Sequence, residues 1–134
     1  MIVHVDTSAL IDALTGPRRL IDALTGPRRS LDALISFTDQ GHRLMLSTIV
    51  LYEWLRGPRT RTELTAQEDL FPTEAAVAFG AAEAAMAARL YKQVARARGR
   101  EIDLAVAACA IANNAAIWTL NRDDFRDMSD LRLV

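Results

Sequence analysis

The sequence predicts an α/β fold: a three-layer α/β/α sandwich around a parallel sheet of about five strands. Three observations predict it. Short apolar, β-branched runs alternate with helix-length runs along the chain, the spacing of βαβ crossovers rather than hairpins. The helical runs end at Gly, Pro or Asn. At 134 residues, 51% apolar and 25% charged, the chain has the size and composition of one globular domain, expected to span residues 1–134.

The elements follow in order. Ile2 to Val5 is a strand, and Asp6-Thr7-Ser8 is a turn and cap before a helix through Leu10 to Leu14. Leu10 to Arg19 reads LIDALTGPRR and is repeated without change at Leu20 to Arg29. Identity over ten positions marks a recent duplication, because solenoid units are longer and more numerous. Each copy closes on Gly-Pro, which favours two short helical pieces absorbed at the surface. Asp12 and Asp22 are then duplicates on an insertion-tolerant surface, and neither is assigned to catalysis.

Ser30 to Thr38 reads as a helix closed by Gln40-Gly41, Arg43 to Leu46 as a strand, and Ile49 to Arg56 as a helix stopped at Gly57-Pro58. Thr62 to Leu70 is helical up to Pro72, and Ala75 to Phe79 is a third strand despite its alanines. Gly80 to Arg98, with Met86, Leu90 and Val94 at helical spacing, reads as one amphipathic helix ending at Gly99. Asp103 opens the helix Leu104 to Ala112, Asn113-Asn114 ends it, and Ala116 to Leu120 is a strand. A loop at Asn121 to Asp124 and a strand at Leu131 to Val134 complete the chain.

Composition narrows the function classes. A lone cysteine, Cys109, excludes an internal disulfide and suits a reducing compartment; its Ala-rich surroundings suit the core. The first residues carry no export signal and no window approaches the ~20 apolar residues of a membrane span, so a cytoplasmic location is expected. A net charge of -1 gives no global attraction to nucleic acid. Lys92 is the only lysine, and arginine dominance suits phosphate contact as well as a compositional bias would.

In open parallel sheets, ligands bind beyond the carboxyl ends of the strands. Asp6 lies at such an end, Glu53 on the helix after the second strand, Asp103 in the first turn of its helix, and Asp123 and Asp124 after the late strand. Each has an ordinary alternative as a helix cap, a solvated residue or an acidic turn. Together they would repel one another unless a hard cation joined them. Mg²⁺ or Mn²⁺ suits such oxygen ligands, and no Cys or His cluster calls for zinc. Such a site suits phosphodiester hydrolysis. His4 on a strand and His42 in a turn are poorly placed as general bases. Tyr52 and Trp54 either stack on a base or pack in the core. Arg56, Arg59 and Arg61, and Arg96, Arg98 and Arg100, either hold an RNA backbone beside the acids or cap helix ends.

Four runs are recognisable: V-D-T-S-A-L-I-D at Val5 to Asp12, L-S-T-I-V-L-Y-E-W-L-R-G at Leu46 to Gly57, G-R-E-I-D-L-A-V-A-A-C-A at Gly99 to Ala110, and T-L-N-R-D-D-F at Thr119 to Phe125. In order and together they resemble the PIN-domain family, and the short length is similar to its VapC-type toxin branch. The resemblance implies a five-stranded parallel sheet and a Mg²⁺- or Mn²⁺-dependent endoribonuclease, the toxin of a type II toxin-antitoxin system. It also implies an RNA substrate, a cognate VapB-like antitoxin and a homodimer. Asp6, Glu53 and Asp103 match the family's three central acidic positions, as catalytic and metal-binding residues. A fourth, directly before an aromatic, picks Asp124 over Asp123. Thr7, Ser8 and Asn121 match polar positions that orient the carboxylates or bond a water on the metal, and Arg100 and Arg56 are candidate RNA contacts. The duplication departs from the family pattern and bears on the first helix and any partner surface there. Competing readings are a DNA or structure-specific nuclease, a phosphoacceptor domain that would want a lysine after a late strand, and a non-catalytic interaction module.

Overall fold

A central strand, β1 (Ile2–Val5), has parallel neighbours on both sides in the computed structural model, which describes residues 1–15 and 29–134. The order is β2 (Arg43–Met45), β1, β3 (Ala115–Trp118), with Val3 opposite Leu44 on one side and Ala116 on the other. Around them run α1 (Thr7–Leu14), α2 (Arg29–Asp39), α3 (Thr48–Arg56), α4 (Arg61–Leu70), α5 (Ala81–Gln93) and α6 (Glu101–Ala112). Single 3-10 turns occupy Thr73–Ala75 and Arg122–Asp124. The helical piece expected in the second repeat copy lies outside the described residues.

The fold class is the one the alternation of strands and helices predicts, but two of the five expected strands shrink to single bridges. Val77 pairs parallel with Ser47, through Val77 N–H to the Leu46 carbonyl (2.8 Å) and Thr48 N–H to the Val77 carbonyl (2.9 Å). Leu133 pairs parallel with Ile117, flanked by Ile117 N–H to the Arg132 carbonyl (2.9 Å) and Val134 N–H to the Ile117 carbonyl (3.1 Å). Five parallel segments result, in the order Val77, β2, β1, β3, Leu133. The outer two are short for a physical reason: each pairs on one side only, and the turn at Thr73–Ala75 takes Ala75, the first residue of the expected third strand. Helices fill the crossovers: α1 and α2 between β1 and β2, α3 and α4 between β2 and Val77, and α5 and α6 between Val77 and β3.

One helix also ends early. α5 stops at Gln93, with Val94 extended, and the chain reverses through Arg96 (φ 56°) and Gly99 (φ 87°) instead of continuing to Arg98. The reversal lets α6 pack back against α5 and buries Ala97. Only Gly99 in this stretch is a strong breaker, so periodicity carried the helix one turn too far. α6 is apolar on every side, and Leu104 to Ala110 are all buried, which makes it the central core helix. It leaves through Asn114 in the left-handed region (φ 53°), a common helix exit for Asn.

The core gathers Val5 and Ile117 of the sheet, Leu10 of α1, Val50 and Trp54 of α3, Leu104 of α6 and Phe125. Trp54 and Cys109 are therefore packing residues, and Tyr52 is exposed with Arg56 5.3 Å from its ring centre. No helix among the described residues is long and apolar enough to cross a membrane.

His4, in the middle of β1, is wholly buried, and neither ring nitrogen has a hydrogen-bond partner among the described residues. Burial pushes its pKa down from 6.5 to about 4, so the folded protein holds it neutral. The unfolded chain binds a proton below pH 6.5 that the folded state refuses. Stability is therefore complete above pH 6.5 and falls as the pH drops toward 4, by about 3 kcal/mol over that interval. Urea titrations of wild type and His4→Leu between pH 4 and 7 check this. The wild-type midpoint should fall steeply on acidification, and the His4→Leu midpoint should fall less.

Candidate active site

Asp6 follows β1 directly and occupies the cap position of α1 with extended backbone, but its carboxylate makes no capping bond. It is buried, and its Oδ2 accepts from Thr119 Oγ1 (2.7 Å) and Ser8 Oγ (3.0 Å). Those hydroxyls are oriented in turn by the chain leaving β3. Asn121 N–H donates to Thr119 Oγ1 (3.0 Å) and Leu120 N–H to Ser8 Oγ (3.1 Å). Every hydrogen bond given to this carboxylate among the described residues falls on Oδ2, which leaves Oδ1 available.

Glu53 projects from the middle of α3. That helix starts where β2 ends because Ser47 caps it, its Oγ accepting from Val50 N–H at 3.3 Å. Glu53 Oε1 accepts from Thr7 Oγ1 at 2.6 Å, and Oε2 pairs with Arg56 Nη2 at 3.2 Å. Thr7 and Ser8 thus hold two different acids, Glu53 and Asp6, from the first turn of one helix.

Asp103 lies in the first turn of α6. Its pKa rises from 3.8 to about 6, first because burial penalises the charge and then because Asp6, Asp124 and Glu53 repel it, in that order; Arg100 partly offsets the rise. Three acids from three separate segments therefore act on Asp103 at the carboxyl edge of the sheet. The adjacent pair left open by the sequence divides here. Both are exposed, but Asp124 acts on Asp103, whereas Asp123 pairs with Arg126 at 2.9 Å. Buried Phe125 anchors the turn that presents Asp124.

Among the described residues, no three His, Cys, Asp or Glu side chains form a ready-made coordination cage. The donor set nonetheless fits a hard divalent cation: oxygen ligands only, mutual repulsion to be neutralised, and a free Asp6 oxygen. Mg²⁺ commonly takes only one or two carboxylates directly and keeps several waters.

Residue by residue, Asp6, Glu53, Asp103 and Asp124 come together, with Thr7 and Ser8 bonded to them and Asn121 joined through its backbone. Thr119 was not singled out by the sequence reading, although a buried polar residue just beyond a strand's carboxyl end is the kind of signal that would find it. Asp127 was missed as well. Arg56 and Arg100 both bond carboxylates: Arg56 holds Glu53, and Arg100 holds Asp127 at 2.7 Å.

A doubly wound α/β fold with a carboxylate cluster at its switch edge defines a narrow class, and comparison with known proteins places the chain within it. The PIN domain model matches residues 3–131. The chain belongs to the PIN-domain family. No curated protein sequence matches it significantly. Among solved structures it is similar to VapBC2 from Rickettsia felis, described as bound to a DNA fragment from its promoter (TM-score 0.71, 20% identity, covering 100% of this chain and 98% of that one). It is also similar to FitAcB from Neisseria gonorrhoeae (TM-score 0.66, 19% identity, 99% and 96%). A third similar structure is VapBC-5 from Mycobacterium tuberculosis, a member of the VapBC family of toxin-antitoxin systems (0.62, 20%, 99% and 97%).

The raised pKa of Asp103 has a sign. Folding is favoured while the group is protonated, so that contribution is fully present below pH 3.8 and is lost as the pH rises toward 6. In metal-free protein at pH 7 the charge costs roughly 1–2 kcal/mol after allowance for solvent screening. Asp103→Asn should therefore raise the metal-free melting temperature by about 5 °C at pH 7 and leave it nearly unchanged at pH 3.5. Differential scanning fluorimetry at both pH values measures the difference.

Proposed function

We propose that this protein is the toxin of a type II toxin-antitoxin pair, a divalent-metal-dependent endoribonuclease in which Asp6, Glu53, Asp103 and Asp124 hold the metal. One observation carries the reading: Asp6, Asp124 and Glu53, from distant segments, each add their repulsion to the burial that lifts the pKa of Asp103 to about 6. Mutual repulsion of that kind costs stability, and a protein retains it where a cation is to be bound.

Mg²⁺ or Mn²⁺ at this edge would supply Lewis-acid chemistry to a phosphodiester and to the water that attacks it. The chain's own residues do the rest. Ser8 and Thr119 lock the rotation of Asp6 by holding its Oδ2, which leaves Oδ1 for the metal. Thr7 and Arg56 fix both oxygens of Glu53. Asp103 is ionised above about pH 6 and available as a ligand at neutral pH. Membership of the PIN-domain family supports nuclease chemistry. Similarity to VapBC and FitAcB structures supports a VapB-like antitoxin partner and the toxin role, with a homodimer and a cytoplasmic RNA substrate completing the reading.

Purified protein incubated with Mn²⁺ should cleave single-stranded RNA and leave single-stranded DNA intact; the reverse preference would reject the substrate assignment. Losing an outer partner of a metal ligand costs about 10–100-fold, so Asp6→Asn or Asp103→Asn should each lower the cleavage rate by more than about 100-fold. Retained cleavage in both variants would reject the site. In cells, expression of this chain alone should arrest growth and co-expression of the neighbouring reading frame should restore it. Equal growth in both cultures would count against the toxin assignment.

A further inference from the structure

The chemistry proposed above needs Asp124 and Asp103 to face each other, yet they sit on segments with no shared secondary structure. One side chain bridges them. Arg100, the cap residue of α6, donates from Nη1 to Asp127 Oδ2 (2.8 Å) and the Ala95 carbonyl (3.1 Å). From Nη2 it donates to Asp127 Oδ1 (2.7 Å) and the Asp124 carbonyl (2.9 Å). The two bonds to Asp127 make a planar fork on a carboxylate, the geometry in which arginine outperforms lysine. One guanidinium thus ties the reversal after α5, the start of α6 and the turn bearing Asp124.

We propose that Arg100 and Asp127 are positioning residues: their fork sets the separation of Asp124 from Asp103, and through it the affinity of the carboxylate cluster for a divalent cation. The inference rests on the nuclease reading and extends it to two residues that touch neither metal nor RNA. Arg100 lies three residues before Asp103, on the same face of the helix start. Its positive charge is felt by both Asp103 and Asp124, so the fork also relieves part of the repulsion it holds in place. The Arg100 and Asp127 side chains are 22% and 44% exposed, and an ion pair so placed contributes little to global stability. Its effect belongs in metal affinity instead. The fork also occupies the donors that a phosphate contact by Arg100 would need.

The test is calorimetric titration of Mn²⁺, without RNA, into wild type, Arg100→Gln, Asp127→Asn and the double variant, with melting temperatures alongside. Each single variant should bind Mn²⁺ about tenfold more weakly. The double should be no weaker than Arg100→Gln, because losing Arg100 already removes the fork and its bond to the Asp124 carbonyl, and melting temperatures should stay close to wild type. Added Mn²⁺ should restore cleavage. Unchanged Mn²⁺ affinity in Asp127→Asn would overturn the proposal. So would tighter RNA retention by Asp127→Asn, since a released guanidinium would then be acting as an RNA contact. A wild type without Mn²⁺ affinity overturns the nuclease reading and this one together, whereas a wild type that binds Mn²⁺ as its variants do overturns only the role of the pair.

Discussion

The cost of a charge on Asp103, half-buried and facing Asp6, Asp124 and Glu53, is the constraint around which the carboxyl edge of the sheet is organised. Burial and three neighbouring carboxylates lift Asp103 to about pH 6, so the charged cluster is costly in the absence of a counter-ion. A cluster of that kind drifts apart unless each acid is tethered, and each is. Hydroxyls hold Asp6, a hydroxyl and an arginine hold Glu53, α6 carries Asp103, and a buried phenylalanine beside the Arg100 fork secures Asp124. Strain at the site is opposed by rigidity immediately beneath it.

That rigidity comes from ordinary packing. α6 is buried from Leu104 to Ala110 and carries Asp103 just before that stretch, so the carboxylate is mounted on the central core helix. β1 is the central strand, paired on both sides, and Asp6 is its continuation; Asp6 N–H still bonds the Trp118 carbonyl at 3.0 Å. Two of the acids are therefore fixed by the centre of the fold. The other two depend on side-chain ties: Glu53 on Thr7 and Arg56, and the turn bearing Asp124 on Arg100. A site so divided can present two firm ligands and adjust two others, which suits a cation that retains water and accepts a phosphate.

The comparisons bear on the same division. The family model spans residues 3–131, while identity to the similar structures is only 19–20%. A shared fold at such identity is maintained by pattern, apolar strands and small-residue helices, rather than by particular core side chains. The chemistry proposed for this chain accordingly rests on its own acids and their tethers, not on what its structural relatives assemble with.

The sequence by itself determined the order of strands and helices, the core character of α6 and Cys109, and which acids stand at strand ends, because these follow from periodicities and helix stops within a few residues; that Trp54 packs in the core rather than stacking on a base was decided by the fold. It misjudged lengths where neighbours decide: the segments at Val77 and Leu133 pair on one side only and remain single bridges, and α5 ends at Gln93 because the chain must reverse for α6 to pack. Only the tertiary structure chose the partners of each acid. Thr119 meets Asp6 across 113 residues, Thr7 meets Glu53 across 46, and Arg100 meets Asp127 across 27. Such pairings are set by how elements pack in three dimensions, and no local pattern in the chain encodes them.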